Sequence, residues 1–314
     1  MRVTALAGGI GAGKFLRGLV RVVRPEDVTV VVNTGDDVEM HGLHVSPDLD
    51  SVTYWVGEAM DRERGWGRRD ETFRATEELR RFDPGQAWFN LGDLDLATHL
   101  YRTNLLRAGA TLSEATARVA GRFGLGSRIL PMSDDPVATR VTVVSAGEEL
   151  DLHFQEYWVK RRARDEVKGI RYEGAEASRP APGVLESIEA ADAVVLCPSN
   201  PIASIRPILA VPGIEEAVAA RRDAAVGISP IVGGAPLAGM ADKLMPAAGY
   251  AVTALGAAEC YRRLLAGWVV DHADRDLAPR IERELGLRVT VTDTVMADDA
   301  KAEGVARAAL DLVG

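Results

Sequence analysis

The sequence predicts an α/β protein: a Rossmann-like, mostly parallel sheet flanked by helices, with a small inserted α+β subdomain. Three observations predict it. Short apolar, β-branched runs alternate with segments of helical spacing along most of the 314 residues. Turns rich in Gly, Asn and Asp follow one predicted strand after another. Between about residues 133 and 180, strand patterns succeed one another with no helix between them. The core is therefore expected from 1–132 and 181–314, and the insert from 133–180.

The elements follow in order. Val3 to Ala7 is an apolar run ending in Gly8-Gly9, and Phe15 to Val23 has helical spacing. Val28 to Val32 is a second β-branched run, which completes a βαβ unit. Residues 33–51, "NTGDDVEMHGLHVSPDLDS", read as a long polar loop, and long loops within compact domains are usually functional. Helical patterns cover about 52–63 and 71–81. "AWFNLGDLDLATHL" predicts a short strand, a loop and a helix from near Leu94; "LSEATARVAGRFG" predicts another helix capped by Ser113. A hairpin is expected around Gly147, and a further strand at "EVKGIRYEG". "RPAPG" marks the exit from the insert. Strands follow at 193–198, "DAAVGISPI", "GWVVD" and "LRVTVTD", alternating with helices.

Composition excludes several classes. Hydrophobic residues make up 47% and charged residues 26%, with a net charge of −9. That balance argues against a nucleic-acid partner, which would ask for a basic stripe. The one basic run, Lys160, Arg161, Arg162 and Arg164, reads as a solvated helix end. Cys197 and Cys260 make neither a disulfide framework nor a zinc site, and Cys197 reads as packing. No leader pattern opens the chain and no run approaches the roughly 20 apolar residues of a membrane span, so a cytoplasmic protein with no membrane partner is expected.

Parallel sheets bind ligands beyond the carboxyl ends of their strands. The polar residues collect there: Gly8–Gly13, Asn33–Asp37, Gly92–Asp95, Pro198–Ser204 and Ser229–Gly239. "GGIGAGKF" approximates a phosphate loop, with Gly8, Gly13 and Lys14 in register. Phe15, however, stands where a metal-binding hydroxyl would be needed. The dinucleotide fingerprint also fails, because Lys14 fills its third glycine position. A metal would instead need carboxylates from other strands, and Asp36-Asp37, Asp48-x-Asp50, Asp93-x-Asp95 and Asp134-Asp135 are the candidates. Magnesium favours such oxygens. Read singly, Asp50, Asp93 and Asp134 are also suited to capping helices. His41 and His44 read as hydrogen-bonding loop residues, and His99 stands one helical turn beyond Asp95.

These blocks, with "HFQEYWV", "PSNPIASI" and "ISPIVGGAPLAGMADKLM", resemble the 2-phospho-L-lactate transferase family of coenzyme F420 biosynthesis, in family order across the chain. The resemblance implies a magnesium-dependent transfer onto the deazaflavin Fo. The donor would be a guanosine-diphosphate-linked lactate or enolpyruvate; GMP would leave, giving F420-0 or its dehydro form. It implies Mg2+ at Asp36, Asp37, Asp48 and Asp50, with Asp37 and Asp50 as the catalytic carboxylates. It implies a deazaflavin side at Asp50, Asn90, Asp93 and His99. The nucleotide diphosphate would lie on Gly8, Gly9, Gly11, Gly13, Lys14, Ser199, Asn200 and Ser204. It also implies a homodimer whose other partners are small molecules. Leu94 and Arg206 depart from the family pattern, where an arginine and a glycine are usual; these departures leave donor identity open. Ile10 leans toward members using the enolpyruvyl donor. The competing reading is a non-catalytic nucleotide-sugar-binding regulator of the related gluconeogenesis-factor branch; "VEMHGLHVSPDLD" favours the transferase.

Overall fold

A computed structural model describes residues 1–85 and 88–313. In chain order, β1 (Val3–Ala7) leads into α1 (Gly9–Val22) and β2 (Val28–Val32). A hairpin of β3 (Val38–Met40) and β4 (Leu43–Val45) comes next, then α2 (Pro47–Val56), α3 (Arg74–Phe82), α4 (Asp93–Arg107) and α5 (Leu112–Arg122). β5 (Arg128–Pro131) is followed by β6 (Ala138–Ser145), β7 (Glu148–His153) and β8 (Glu166–Glu173). β9 (Ala193–Leu196), β10 (Ala225–Ile228), the two-residue pair β11 (Ile231–Val232) and β12 (Ala235–Pro236), β13 (Gly267–Asp271) and β14 (Arg288–Thr292) complete the strands. The helix Asp299–Leu310 closes the chain.

Seven strands form one sheet, ordered β14-β13-β10-β9-β1-β2-β5 and parallel throughout. Val3 pairs with Val28 on one side and Ala193 on the other, which places β1 in the interior of the sheet, between β9 and β2. The strands are apolar on both faces because both faces are covered. Val3, Ala5 and Ala7 pack with α1, α2 and the C-terminal helix, while Leu6 joins the core on the opposite face. A separate antiparallel sheet, β7-β6-β8, rests on that second face. Strand order reverses beside β1: the chain moves outward first to β2 and β5, then returns to β9. A ligand crevice is expected at such a switch point.

Several local expectations change. The 33–51 segment is not a loop throughout, because a tight hairpin turns at His41-Gly42, both with positive φ, and Pro47 then opens α2. The helix expected at 52–63 is therefore α2, starting at Pro47 and ending at Val56. Ser113 is not the cap of α5. Thr111 accepts the Glu114 N–H and Glu114 returns the bond, a capping box two residues earlier. Ala87, in the strand expected at "AWF", lies outside the described residues, and Trp88 and Phe89 sit in a turn and a bend.

Candidate active site

The crevice lies over the carboxyl ends of β1, β2, β9, β10 and β14, with a volume of about 510 Å³. Its floor begins at α1. Gly8 is extended, and α1 starts at Gly9 with no side-chain cap from Gly8 itself; Asp48 takes the Gly9 N–H, and the N–H groups of the rest of the first turn, from Ile10 onward, have no partner within the helix and suit an anion. Ser199 Oγ accepts the Gly8 N–H at 3.4 Å. A Cβ on Gly8 would overlap Asp48 Oδ2 and stand 2.7 Å from Ser204 Cβ; one on Gly11 would overlap the Pro198 carbonyl. Glycine is required here for close approach. Gly8→Ala is expected to lower turnover on the order of 10²-fold by displacing Asp48, as steady-state rates would show.

Asn33, fully buried at the end of β2, organises the acidic wall. Its Nδ2 donates to Asp36 Oδ1 (3.1 Å), Asp48 Oδ2 (2.9 Å) and the Ala203 carbonyl (3.3 Å). Gln155 Nε2 donates to the other oxygen of Asp36 at 3.1 Å, and Asp48 accepts the Gly9 N–H. Two carboxylates, each about 5% exposed, thus share one amide, and among the described residues neither has a basic side chain in an ion pair. Burial, then the charge of Asp48, drives Asp36 well above the usual carboxylate range. Burial raises Asp48 to about 7, against the bonds from Asn33 and Gly9. A hard divalent cation with oxygen ligands fits this uncompensated pair.

The raised Asp48 has a sign that can be measured. Metal-free folded protein holds a proton that the unfolded chain releases near pH 3.9, so its stability declines as pH rises from about 4 to about 7. Thermal unfolding in chelator between pH 5 and 8 is expected to show this decline in the wild type relative to Asp48→Asn. Added Mg2+ should stabilise the wild type progressively more as pH rises.

Of the expected site residues, the crevice brings together Gly8, Gly9, Gly11, Lys14, Asp36, Asp48, Ser199, Asn200 and Ser204. Asn200 Oδ1 accepts from the Ile202 and Ala203 N–H groups, and its buried Nδ2 has no partner among the described residues. The remaining expected residues are elsewhere. Gly13 lies inside α1 against Trp55, where a side chain would not fit. Asp37 turns to the other side, accepting from Ser46 Oγ (2.8 Å) and pairing with His44 Nε2 (2.9 Å). Asp50 is buried with Arg102, whose guanidinium grips both of its oxygens. His99 Nδ1 lies 3.5 Å from Asp50 Oδ2 and its Nε2 3.4 Å from Asp95 Oδ2. Asp93 accepts the Arg74 and Ala75 N–H groups and so caps α3 from α4. Asn90 accepts from Arg80 at 3.0 Å. Asp134 takes the Ser113 N–H, capping α5.

Asp50, Asp95 and His99 offer ligand atoms within 4.8 Å of one another. This cluster does not fit a cation, because Arg102 occupies Asp50 and Tyr54 donates to Asp95 at 2.7 Å. Phe15, on the core-facing side of α1, is fully buried, so this position cannot present a ligand to a metal in the crevice. The Cys197 thiol, also buried, is pushed upward and away from reactivity. Neither departure from the family pattern lines the crevice: Arg206 pairs with Glu215 at 3.6 Å, and the Leu94 backbone is held by Glu71 and Arg68. The sequence reading placed Asn33 among the polar residues at the strand ends without giving it a role, and missed Gln155 and the aromatic side chains Trp66, Phe154 and Trp158 that line the crevice. Asn33 carried a signal, standing where a polar side chain closes a buried strand.

The sequence profile of the family described as 2-phospho-L-lactate transferase CofD matches residues 3–312. The chain belongs to that family. It shares 50% identity with the phosphoenolpyruvate transferase of Streptomyces griseus subsp. griseus, over 99% of this chain and 98% of that relative. The enzyme of the same name from Streptomyces coelicolor is 49% identical, with the same coverage. Among solved structures, a UPF0052 family protein from Bacillus halodurans superposes with a TM-score of 0.65, covering 98% of each chain at 16% identity, which shows the shared fold. Membership in the CofD family makes the chain a transferase, handling a phospholactate or enolpyruvyl unit in coenzyme F420 biosynthesis. No helix among the described residues is long and apolar enough to cross a membrane.

Proposed function

We propose that this transferase moves an enolpyruvyl-phosphate unit, or its 2-phospholactate counterpart, from a guanosine-diphosphate-linked donor to the ribityl hydroxyl of the deazaflavin Fo. The observation that carries this reading is the Asp36–Asp48 pair facing the open N-terminus of α1 across one crevice. A diphosphate needs N–H donors on one side and a cation on the other, and this arrangement offers both. The ribityl oxygen attacks the phosphorus that bears the three-carbon acid. The bond from that phosphorus to the bridging oxygen breaks, and GMP leaves with the bond's electrons. The acceptor hydroxyl proton passes to solvent or to a carboxylate.

Positioning and charge neutralisation do most of the work in such transfers. Mg2+, held by Asp36 and Asp48, would neutralise charge on the diphosphate. Lys14, which lines the crevice, would add a second positive charge, and Asn200 Nδ2 and the Ile10 and Gly11 N–H groups would hold phosphate oxygens. Trp66 and Trp158, which line the crevice with Phe154 buried behind Trp158, suit the flat rings of guanine and deazaflavin. The names of the Streptomyces relatives favour the enolpyruvyl donor.

The test is GMP release. Protein, Fo and Mg2+ are mixed with each guanosine-diphosphate-linked donor and analysed by mass spectrometry, with a chelator control. Magnesium-dependent GMP together with a phosphoacyl-extended deazaflavin is expected, faster with the enolpyruvyl donor. Tight binding of a nucleotide sugar without product would replace this reading with that of a regulator.

A further inference from the structure

We propose that Arg102 is a positioning residue for the cation site, acting through Asp50 on the first turn of α2; the assignment rests on the reading of Asp36 and Asp48 as cation ligands. Arg102 is 1% exposed, an expensive place for a guanidinium. It is held by Asp50: Nη1 donates to Oδ2 at 3.0 Å and Nη2 to Oδ1. A bidentate pair fixes orientation as well as distance. Nη1 also lies 3.4 Å from the His44 carbonyl, and the next residue, Thr103, accepts the His44 N–H at 2.8 Å. His99, one turn earlier on α4, approaches Asp50 from the same helix.

All of these contacts land on residues 44–50, the segment that delivers Asp48. Ser46, the residue preceding α2, makes no side-chain bond to the helix and instead donates to Asp37. The first turn of α2 therefore takes its register from α4 and Asp37 rather than from its own cap. That register matters because Asp48 Oδ2 fills the space a Cβ on Gly8 would need. The carboxylate has little latitude before it strikes the α1 backbone or leaves the amide of Asn33. Asp48 and Asp50 stand two residues apart on a helix, about 200° around the axis, so one faces the crevice while the other is gripped from behind.

A merely structural ion pair would make a different prediction. A buried pair can be replaced by well-packed apolar residues with little loss of stability. If Arg102 only holds the core together, restoring stability restores the site. If it sets the register of α2, stability and cation affinity separate.

The test titrates Mn2+, read by electron paramagnetic resonance, into wild type, Asp48→Asn, Arg102→Lys, the double variant Arg102→Met with Asp50→Leu, and Ile281→Ala as a control remote from the crevice. Thermal unfolding is recorded for each. Wild type is expected to bind Mn2+ and Asp48→Asn to lose that binding. Arg102→Lys is expected to weaken binding on the order of 10-fold, as loss of an outer-shell partner does. The double variant is expected to unfold near the wild-type temperature yet bind Mn2+ about 10-fold more weakly. Ile281→Ala should unfold earlier and bind normally. Wild-type affinity in both Arg102 variants would overturn the assignment while leaving the cation site standing. Should the double variant fail to fold, Arg102→Lys decides alone. Absence of Mn2+ binding by the wild type would remove the cation reading and this assignment with it.

Discussion

Asp48→Asn is expected to cost on the order of 10²–10³-fold in turnover, the usual price of losing one preorganised electrostatic group in a reacting site. The same change is expected to raise the thermal stability of the metal-free protein at pH 8. These opposite signs follow from one arrangement. Asp36 and Asp48 are buried together beneath a shared amide, and among the described residues no cationic side chain pairs with either. Once both are ionised they repel each other and lack water, which burial expresses as a raised Asp48 carboxyl. An amide at position 48 removes that tension and keeps the shape, but it cannot supply the charge a divalent cation requires. A loss of activity accompanied by a loss of stability would instead mark Asp48 as a structural residue.

Asp50→Ala is expected to destabilise the protein by about 3–5 kcal/mol, because it leaves the Arg102 guanidinium buried without its counter-charge. In a chain of this size that lowers the unfolding temperature on the order of 10 °C. Chemical or thermal denaturation of Asp50→Ala, with Arg102→Met/Asp50→Leu alongside, measures it. The apolar pair should recover most of the loss. An Asp50→Ala protein as stable as the wild type would mean that the ion pair is not formed in solution.

Much of the framework was legible from periodicity alone. The β1–α1–β2 unit, the β6–β7 hairpin, β8 and the late strands appear where apolar runs and turn residues place them. The crevice was legible too, since polar residues gathered after the strands whose ends line it. The acidic residues were harder, for a geometric reason. Asp36 and Asp37 are neighbours on a turn, and Asp48 and Asp50 lie two apart on a helix. In each pair the two side chains point to opposite sides, so only one member reaches the crevice. Reading 33–51 as loop concealed this, because a loop has no faces. The hairpin itself was hidden by its three-residue strands, too short for alternation to register. Arg102 gave no local signal: its partner lies 52 residues away, and the packing of α4 against β4, just before α2, brings the two together. Asp93 and Asp134 illustrate the converse, acidic residues read as metal candidates that serve as caps for helices about 20 residues earlier in the chain.

The most direct measurement is anomalous diffraction from crystals soaked in Mn2+. The account predicts a single strong peak in the crevice, coordinated by the carboxylates of Asp36 and Asp48 near the N-terminus of α1. A peak at Asp37 and His44, or between Asp50, Asp95 and His99, with none at Asp36 and Asp48, would contradict it.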